Sequence, residues 1–397
     1  MSKRLVLAPM GAILTSALLA ALIAGCAPQE KAAVDTDALA EKLVTQCANI
    51  QEGDVVYISA GVRDVELLED LAVHVRKQGA FPLMILGSER YNRRYYDEVP
   101  AKYDSQVSMA LVDIITAQIS VDVGQTPDLL ADVPPERRAA VSKASAEVSA
   151  RFMERDNRFL NLGNDLYPTK ARAEQYGMSQ DKLSTIFWDG VNADYTELQA
   201  SGERVKAMLA AGMDMHITHP NGTDLRLGIT GRPVLVSDGV ISDEEKEQGG
   251  AACLVWLPAG EVYLVPVPGS AEGTIVADRH FYQGEEIRKL TLTFENGRLT
   301  SMTAEAGLEK LQERYDAAGT GKDLFGAVDI GLNPKVRIPS GSSLVAWMAT
   351  GMVTVGFGAN TGMGGDNSVD FSVYPHLPGC TVTVDGQTIV KEGELAL

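Results

Sequence analysis

The chain has 397 residues, 45% of them hydrophobic and 22% charged, with 53 acidic against 35 basic side chains and a formal charge of -18. That length is enough for one or two ordinary cores, and the composition excludes a disordered, fibrous or multi-span membrane chain. The acidic excess repels a phosphate backbone, so no nucleic acid is expected as a partner, and four cysteines are too few for a disulfide scaffold.

Met1 to Arg4 carry the early positive charges, and Leu5 to Gly25 then run uncharged up to Cys26, the layout of a secretory signal peptide over residues 1–25. The ending Ile23-Ala24-Gly25-Cys26 resembles the bacterial lipobox, which implies cleavage before Cys26 and a lipid on its sulfur. Ala27 follows the cysteine where an aspartate would retain a lipoprotein in the inner membrane. By resemblance to Gram-negative sorting, the expected location is therefore the outer membrane, with residues 26–37 as a polar tether. Cys47, Cys253 and Cys380 are widely spaced and read as buried free thiols.

Residues 38–200 read as a doubly wound α/β domain. Helical spacing at Leu39, Leu43, Val44 and Cys47 leads into the β-branched run Val55 to Ile58, a helix over Val65 to Lys77, and a second buried strand over Phe81 to Leu86. Ala117 to Val123 makes a third strand, a long helix opens at Pro134-Pro135, and Arg158 to Leu162 makes a fourth. Ala60-Gly61-Val62-Arg63 carries one glycine after the first strand, so a phosphate-binding fingerprint is missing. Residues 201–397 read as a β-rich α+β domain. Its short strands span Asp214 to Thr218, Thr223 to Ile229, Leu254 to Leu257, Glu261 to Val265, Leu290 to Glu295, Arg298 to Ala304 and Thr381 to Val384, with one helix at Leu308 to Ala317. Asn296-Gly297 sits between two of them as a hairpin turn.

The segment Pro258-Ala259-Gly260-Glu261-Val262-Tyr263-Leu264-Val265-Pro266 resembles the P-x-G-E-V-[FY]-x-x-P strand of the aminopeptidase T and aminopeptidase S family of metallopeptidases. Thr223-Asp224-Leu225, Glu272-Gly273-Thr274, Ile330-Gly331-Leu332-Asn333-Pro334 and Gly364-Gly365-Asp366-Asn367 match further landmarks in order, as does Tyr167-Pro168-Thr169 in the first domain. The resemblance implies an α/β domain followed by a β-rich domain of aminopeptidase T type, and a homodimer. It also implies a pair of divalent metals that activate a water against the first peptide bond of a peptide substrate.

Placed on this chain, the family's ligands are mostly missing. Glu261 stands at the first glutamate. The second falls on Ala327, with Asp329 on the same strand face as a substitute; a histidine falls on Thr354 and the tyrosine near Thr361. The closing His-x-Asp aligns with Ser368-Val369-Asp370, keeping the aspartate. Glu261, Asp370 and Asp329 are thus the metal candidates. An all-oxygen set suits Mg, Mn or Ca better than the Zn or Co of the family, or no metal at all. The five histidines do not readily rebuild the site: His216 and His219 point to opposite faces of a strand, His74 lies in a helix, His280 could face a cleft without a neighbourhood that argues for it, and His376, six residues after Asp370, either bends back toward it or, as the favoured reading, lies on the surface. The run Arg90 to Tyr96 reads as a solvated helix start. Two functions stay open: an aminopeptidase with an unconventional metal, and an inactive surface lipoprotein that binds a peptide or protein partner. The ligand count favours the second, because a two-metal clamp needs more than two family ligands.

Overall fold

The structure is a computed structural model that describes residues 34–397, apart from 105, 124, 125, 127, 128, 131 and 345. Cys26 and the rest of the signal and tether up to residue 33 lie outside the described residues. Residues Thr36–Leu397 form one compact unit.

In chain order the first half runs α1 (Thr36–Lys42, prolonged by a π-helical turn to Cys47), β1 (Val55–Gly61), α2 (Val65–Lys77), β2 (Phe81–Gly87), α3 (Glu89–Glu98), α4 (Gln106–Val112), β3 (Ala117–Val121), α5 (Pro135–Glu154), β4 (Arg158–Leu162), α6 (Lys170–Gln175), α7 (Gln180–Val191) and α8 (Tyr195–Ala211). The second half follows with β5 (Asp214–His219), β6 (Thr223–Gly228), β7 (Val234–Ser237), α9 (Asp243–Gln248), β8 (Leu254–Leu257), β9 (Glu261–Leu264), β10 (Glu272–Tyr282), β11 (Glu285–Glu295), β12 (Arg298–Thr303), α10 (Glu309–Ala317), β13 (Phe325–Gly331), β14 (Val353–Gly358), β15 (Ser372–Val373), β16 (His376–Leu377), β17 (Thr381–Val384), β18 (Gln387–Lys391) and β19 (Glu394–Leu395).

The parallel sheet has the order β2-β1-β3-β4-β8, so a strand from the second half completes the sheet that the first half begins. Its helices supply the cover that a parallel sheet requires. The cover is incomplete at one edge. β2 is the outermost strand, and Phe81, Met84, Ile85 and Leu86 are exposed instead of buried as their apolar run suggested. An apolar run reports what a strand tolerates, whereas strand order decides which strand is covered. β3 stops at Val121, two residues earlier than its hydrophobic run predicts.

The remaining strands form two further sheets, ordered β12-β11-β10-β6-β5-β17-β18-β19 and β15-β14-β13-β9-β7, with β16 pairing β14. The pairs described within them are antiparallel. The hairpin expected at Asn296-Gly297 joins β11 to β12, with both residues at positive φ (51° and 72°), as a primed turn demands. Cys47, Cys253 and Cys380 are buried free thiols. Helix α3 buries nothing and pairs Arg93 with Asp97 and Asp132 and Arg94 with Glu98. No helix among the described residues is long and apolar enough to cross a membrane.

Candidate functional site

The six-stranded sheet is buried on both sides, and strand alternation divides its residues into two sets. Val262, Leu264, Val328, Ile330, Val353 and Val355 join the main core. The alternate positions, Glu261 and Tyr263 on β9, Ala327 and Asp329 on β13, and Thr354 and Gly356 on β14, share the opposite face. Register aligns them into one row, Leu235 to Tyr263 to Asp329 to Thr354 to His376, across β7, β9, β13, β14 and β16. Glu261 lies one step along, beside Gly331 and Ser237.

This polar row underlies a cavity of about 230 Å³ whose walls include Trp256, Trp347 and Tyr374, with Asn164 between them and Glu261. Asn164 follows β4 and Trp256 lies in β8, so the carboxyl ends of the parallel strands form one side of the cavity. Open α/β sheets place ligands at this end of their strands. Trp347 Nε1 donates to Asn164 Oδ1 at 3.1 Å, and Asn164 Nδ2 donates to Glu261 Oε1 at 3.2 Å and to the Pro258 carbonyl at 3.0 Å. This relay fixes the Glu261 carboxyl. A side chain at Gly331 would place its Cβ 2.3 Å from the Trp347 carbonyl oxygen, so glycine there lets the Trp347 segment lie against the sheet.

Glu261 and Asp329 are 6% and 5% exposed. Burial raises both carboxyls above the ordinary carboxylate range, and the charge of Glu261 raises Asp329 further. Asp329 Oδ1 is buried with no hydrogen-bond partner. Ser237 Oγ, in register with Glu261, is likewise buried and unbonded. The Tyr374 hydroxyl, bonded to the Ala359 carbonyl at 2.8 Å, is pushed up to about 12 by burial. Thr354 Oγ1 lies 2.8 Å from His376 Nδ1, and the His376 ring sits 5.7 Å from that of Trp347. Burial and the proximity of His280 push His376 down to about 3, and burial alone pushes His280 down to about 4. Both imidazoles are therefore neutral over the physiological range.

Of the three carboxylates singled out in the sequence, Glu261 and Asp329 meet in this cavity. Asp370 does not line it. It is exposed, lies beside a different surface depression with Arg138 and Lys310, and its Oδ2 accepts from Arg314 at 3.0 Å. The aromatic that does enter from this segment is Tyr374. Its ring packs on Gly356, where an added Cβ would come within 2.3 Å of the ring edge, and Gly356 is the cross-strand neighbour of Ala327. The donor set does not fit the family's two-metal clamp. Glu261 and Asp329 are accompanied by a threonine, an asparagine and aromatic rings, and no group of three or more His, Cys, Asp or Glu among the described residues is placed to hold a metal ion.

The family model for the thermophilic metalloproteases (M29) matches residues 33–324. The chain belongs to this M29 family. Among its relatives, "Aminopeptidase AmpS" of Bacillus subtilis (strain 168) is 22% identical over 293 residues, covering 67% of this chain and 69% of that protein. "Aminopeptidase PepS" of Streptococcus thermophilus is 25% identical over 300 residues, covering 68% and 70%. "Aminopeptidase 2" of Geobacillus stearothermophilus is 23% identical over 305 residues, covering 71% and 73%. The fold is that of wild-type AmpT from Thermus thermophilus, with a TM-score of 0.70 at 20% identity over 91% of this chain and 99% of that one. It is also close to 2,5-dihydroxypyridine dioxygenase from Pseudomonas putida KT2440, with a TM-score of 0.59 at 13% identity over 91% and 96%.

The M29 match bears directly on the site. It includes Asn164, Trp256, Glu261 and Tyr263 and stops at residue 324, short of Asp329, Trp347, Thr354 and Tyr374. One side of the cavity therefore lies within the family match and the other beyond it. The aromatic walls were missed in the sequence because tryptophan and tyrosine in a β-rich chain read as core. The available signal was Asp329 within Phe325-Gly326-Ala327-Val328-Asp329-Ile330-Gly331, an acid inside an otherwise apolar strand.

Proposed function

We propose that this M29 chain is a binding protein: it keeps the aminopeptidase cleft, takes the end of a peptide into the cavity over Glu261 and Asp329, and does not hydrolyse it. The observation that carries this reading is the donor set. Ala327 and Thr354 occupy positions where the family resemblance calls for ligands, and the third carboxylate, Asp370, is paired with Arg314 on a different surface. Two cations cannot be clamped around an attacking water by two carboxylates. The curated relatives bear the name aminopeptidase, which makes a peptide the reasonable occupant.

The export signal over residues 1–25 and the lipobox ending at Cys26 support a chain tethered by lipid, in the outer membrane of a Gram-negative cell. A Cys26→Ala variant then loses the lipid mass and the membrane fraction together.

The deciding measurement combines metal analysis of the purified chain with peptide binding and turnover. The proposal expects less than one divalent ion per chain, binding of short peptides, and no release of N-terminal residues after loading with Mn²⁺, Co²⁺ or Zn²⁺. Turnover that is lost in Glu261→Gln would overturn it.

A further inference from the structure

The cavity contains two buried acids and no cation to compensate them. No lysine or arginine among the described residues pairs with either one. The donor described for Glu261 is the neutral Asn164 amide, and Asp329 Oδ1 has none. A buried, unbonded carboxyl oxygen is costly and is retained where something else satisfies it. What can satisfy it is limited by the walls. A hard divalent cation needs about six oxygen ligands, whereas the indoles of Trp256 and Trp347 offer none, the Tyr374 hydroxyl is bonded to the Ala359 carbonyl and the Thr354 hydroxyl to His376. A cationic nitrogen with attached hydrogens suits both halves of the cavity: its N–H groups bond the carboxyls, and its charge and alkyl part lie on the aromatic faces. The volume of about 230 Å³ is roughly that of seven or eight waters in the liquid, the scale of one amino-acid residue.

We propose that Glu261 and Asp329 hold a primary organic ammonium group, with its apolar substituent against Trp256, Trp347 and Tyr374, in place of the metal pair that the family resemblance implies. The unpaired Asp329 Oδ1 selects for a nitrogen that donates, so quaternary ammonium ions are discriminated against. The ammonium is the α-amino group of a free amino-acid derivative or of a peptide; the chemistry is shared and the experiment separates the sources. This assignment rests on the peptide-binding reading above and deepens it.

Two of the three tryptophans, Trp256 and Trp347, line the cavity, so titrations can be followed by intrinsic fluorescence and repeated by calorimetry. The full chain in detergent, with a chelator and in an amine-free buffer, is titrated with leucinamide, Leu-Gly-Gly, their N-acetylated forms and tetramethylammonium. The expected result is saturable binding of the two free amines, at least about tenfold weaker binding of the acetylated forms and of tetramethylammonium, and a similar loss in Asp329→Asn. Equal binding of free and acetylated Leu-Gly-Gly would overturn the ammonium assignment and leave peptide capture standing. Binding of leucinamide but not of Leu-Gly-Gly would support the assignment with a free amine as the source and overturn peptide capture. Binding that appears only after metal is added would overturn the assignment. The acetylated arm uses the unmodified chain and so remains decisive if the variant fails to fold.

Discussion

Replacing Asp329 by asparagine should stabilise the protein, and more so at high pH. In the fold Asp329 is 5% exposed, faces the charge of Glu261, and leaves Oδ1 unbonded, so its carboxyl stays protonated well above the 3.8 of an isolated aspartate. In the unfolded chain it ionises normally. The folded state therefore binds the extra proton, and its stability falls as pH rises from about 4 towards the raised folded pKa. Each pH unit between the unfolded and the raised folded pKa costs up to about 1.4 kcal/mol, less whatever relaxation and water entry recover, so the stabilisation by asparagine should be larger at pH 8 than at pH 5. Asparagine keeps the shape and never ionises. Urea unfolding of wild type and Asp329→Asn at pH 5 and pH 8, in phosphate and borate with a chelator, measures the difference. Tris is avoided because it is itself a primary amine. A variant no more stable than wild type at pH 8 would refute the reasoning, since it would mean that Asp329 is already satisfied in the fold.

The histidine pair should act at the other end of the pH scale. His280 is held neutral down to about 4 and His376 to about 3, so the unfolded chain takes up protons first, and stability present above pH 6.5 is lost as pH falls towards those values. His280→Leu should remove up to about 3 kcal/mol of that loss, read as a narrowing gap to wild type in unfolding experiments at pH 7 and pH 4.5. Gly356→Ala should cost about 1–3 kcal/mol and displace Tyr374, because the new methyl group would sit 2.3 Å from the ring; a lowered melting temperature together with altered tyrosine absorbance would register both effects. Asn164→Ala leaves the Trp347 indole and the Glu261 carboxyl without their described partners, so a loss of about 1–3 kcal/mol and a shift in tryptophan emission are expected; unchanged emission would show that the relay does not hold Trp347.

How far the sequence could be read depended on whether a feature was local. The β9 strand with Glu261 was legible because Pro258, Gly260 and Pro266 bracket a short buried run, and Asp329 was legible because side chains two apart on a strand share a face. The Asn296-Gly297 hairpin was legible for the same local reason. Asp370 was placed by counting through Gly364-Gly365, and glycine-rich loops do not preserve register. The chain leaves that loop with Asp370 pointing to Arg314, and Tyr374, four residues on, reaches the cavity. The exposed edge at β2 was illegible for a different reason: strand order is a tertiary property, and Phe81 to Leu86 would read alike at the centre of the sheet or at its rim.

Two structural neighbours set the limit on arguing from the fold. One is AmpT and the other a dioxygenase, yet both overlie more than nine-tenths of this chain, so the architecture by itself does not choose the chemistry. The choice lies in what stands on β13, β14 and the segment after them, all beyond residue 324 where the M29 match ends. The departures there depend on one another. Ala327 and Gly356 are both small and face each other across the strands, Tyr374 packs on Gly356, and Thr354 bonds His376, which sits against Trp347. A glutamate restored at Ala327 would therefore meet a packed, aromatic site beside Tyr374 instead of a vacant ligand position. Replacing a single position should not create a metal site, because Tyr374, Gly356 and the Thr354 and His376 pair occupy the surroundings that further ligands would need.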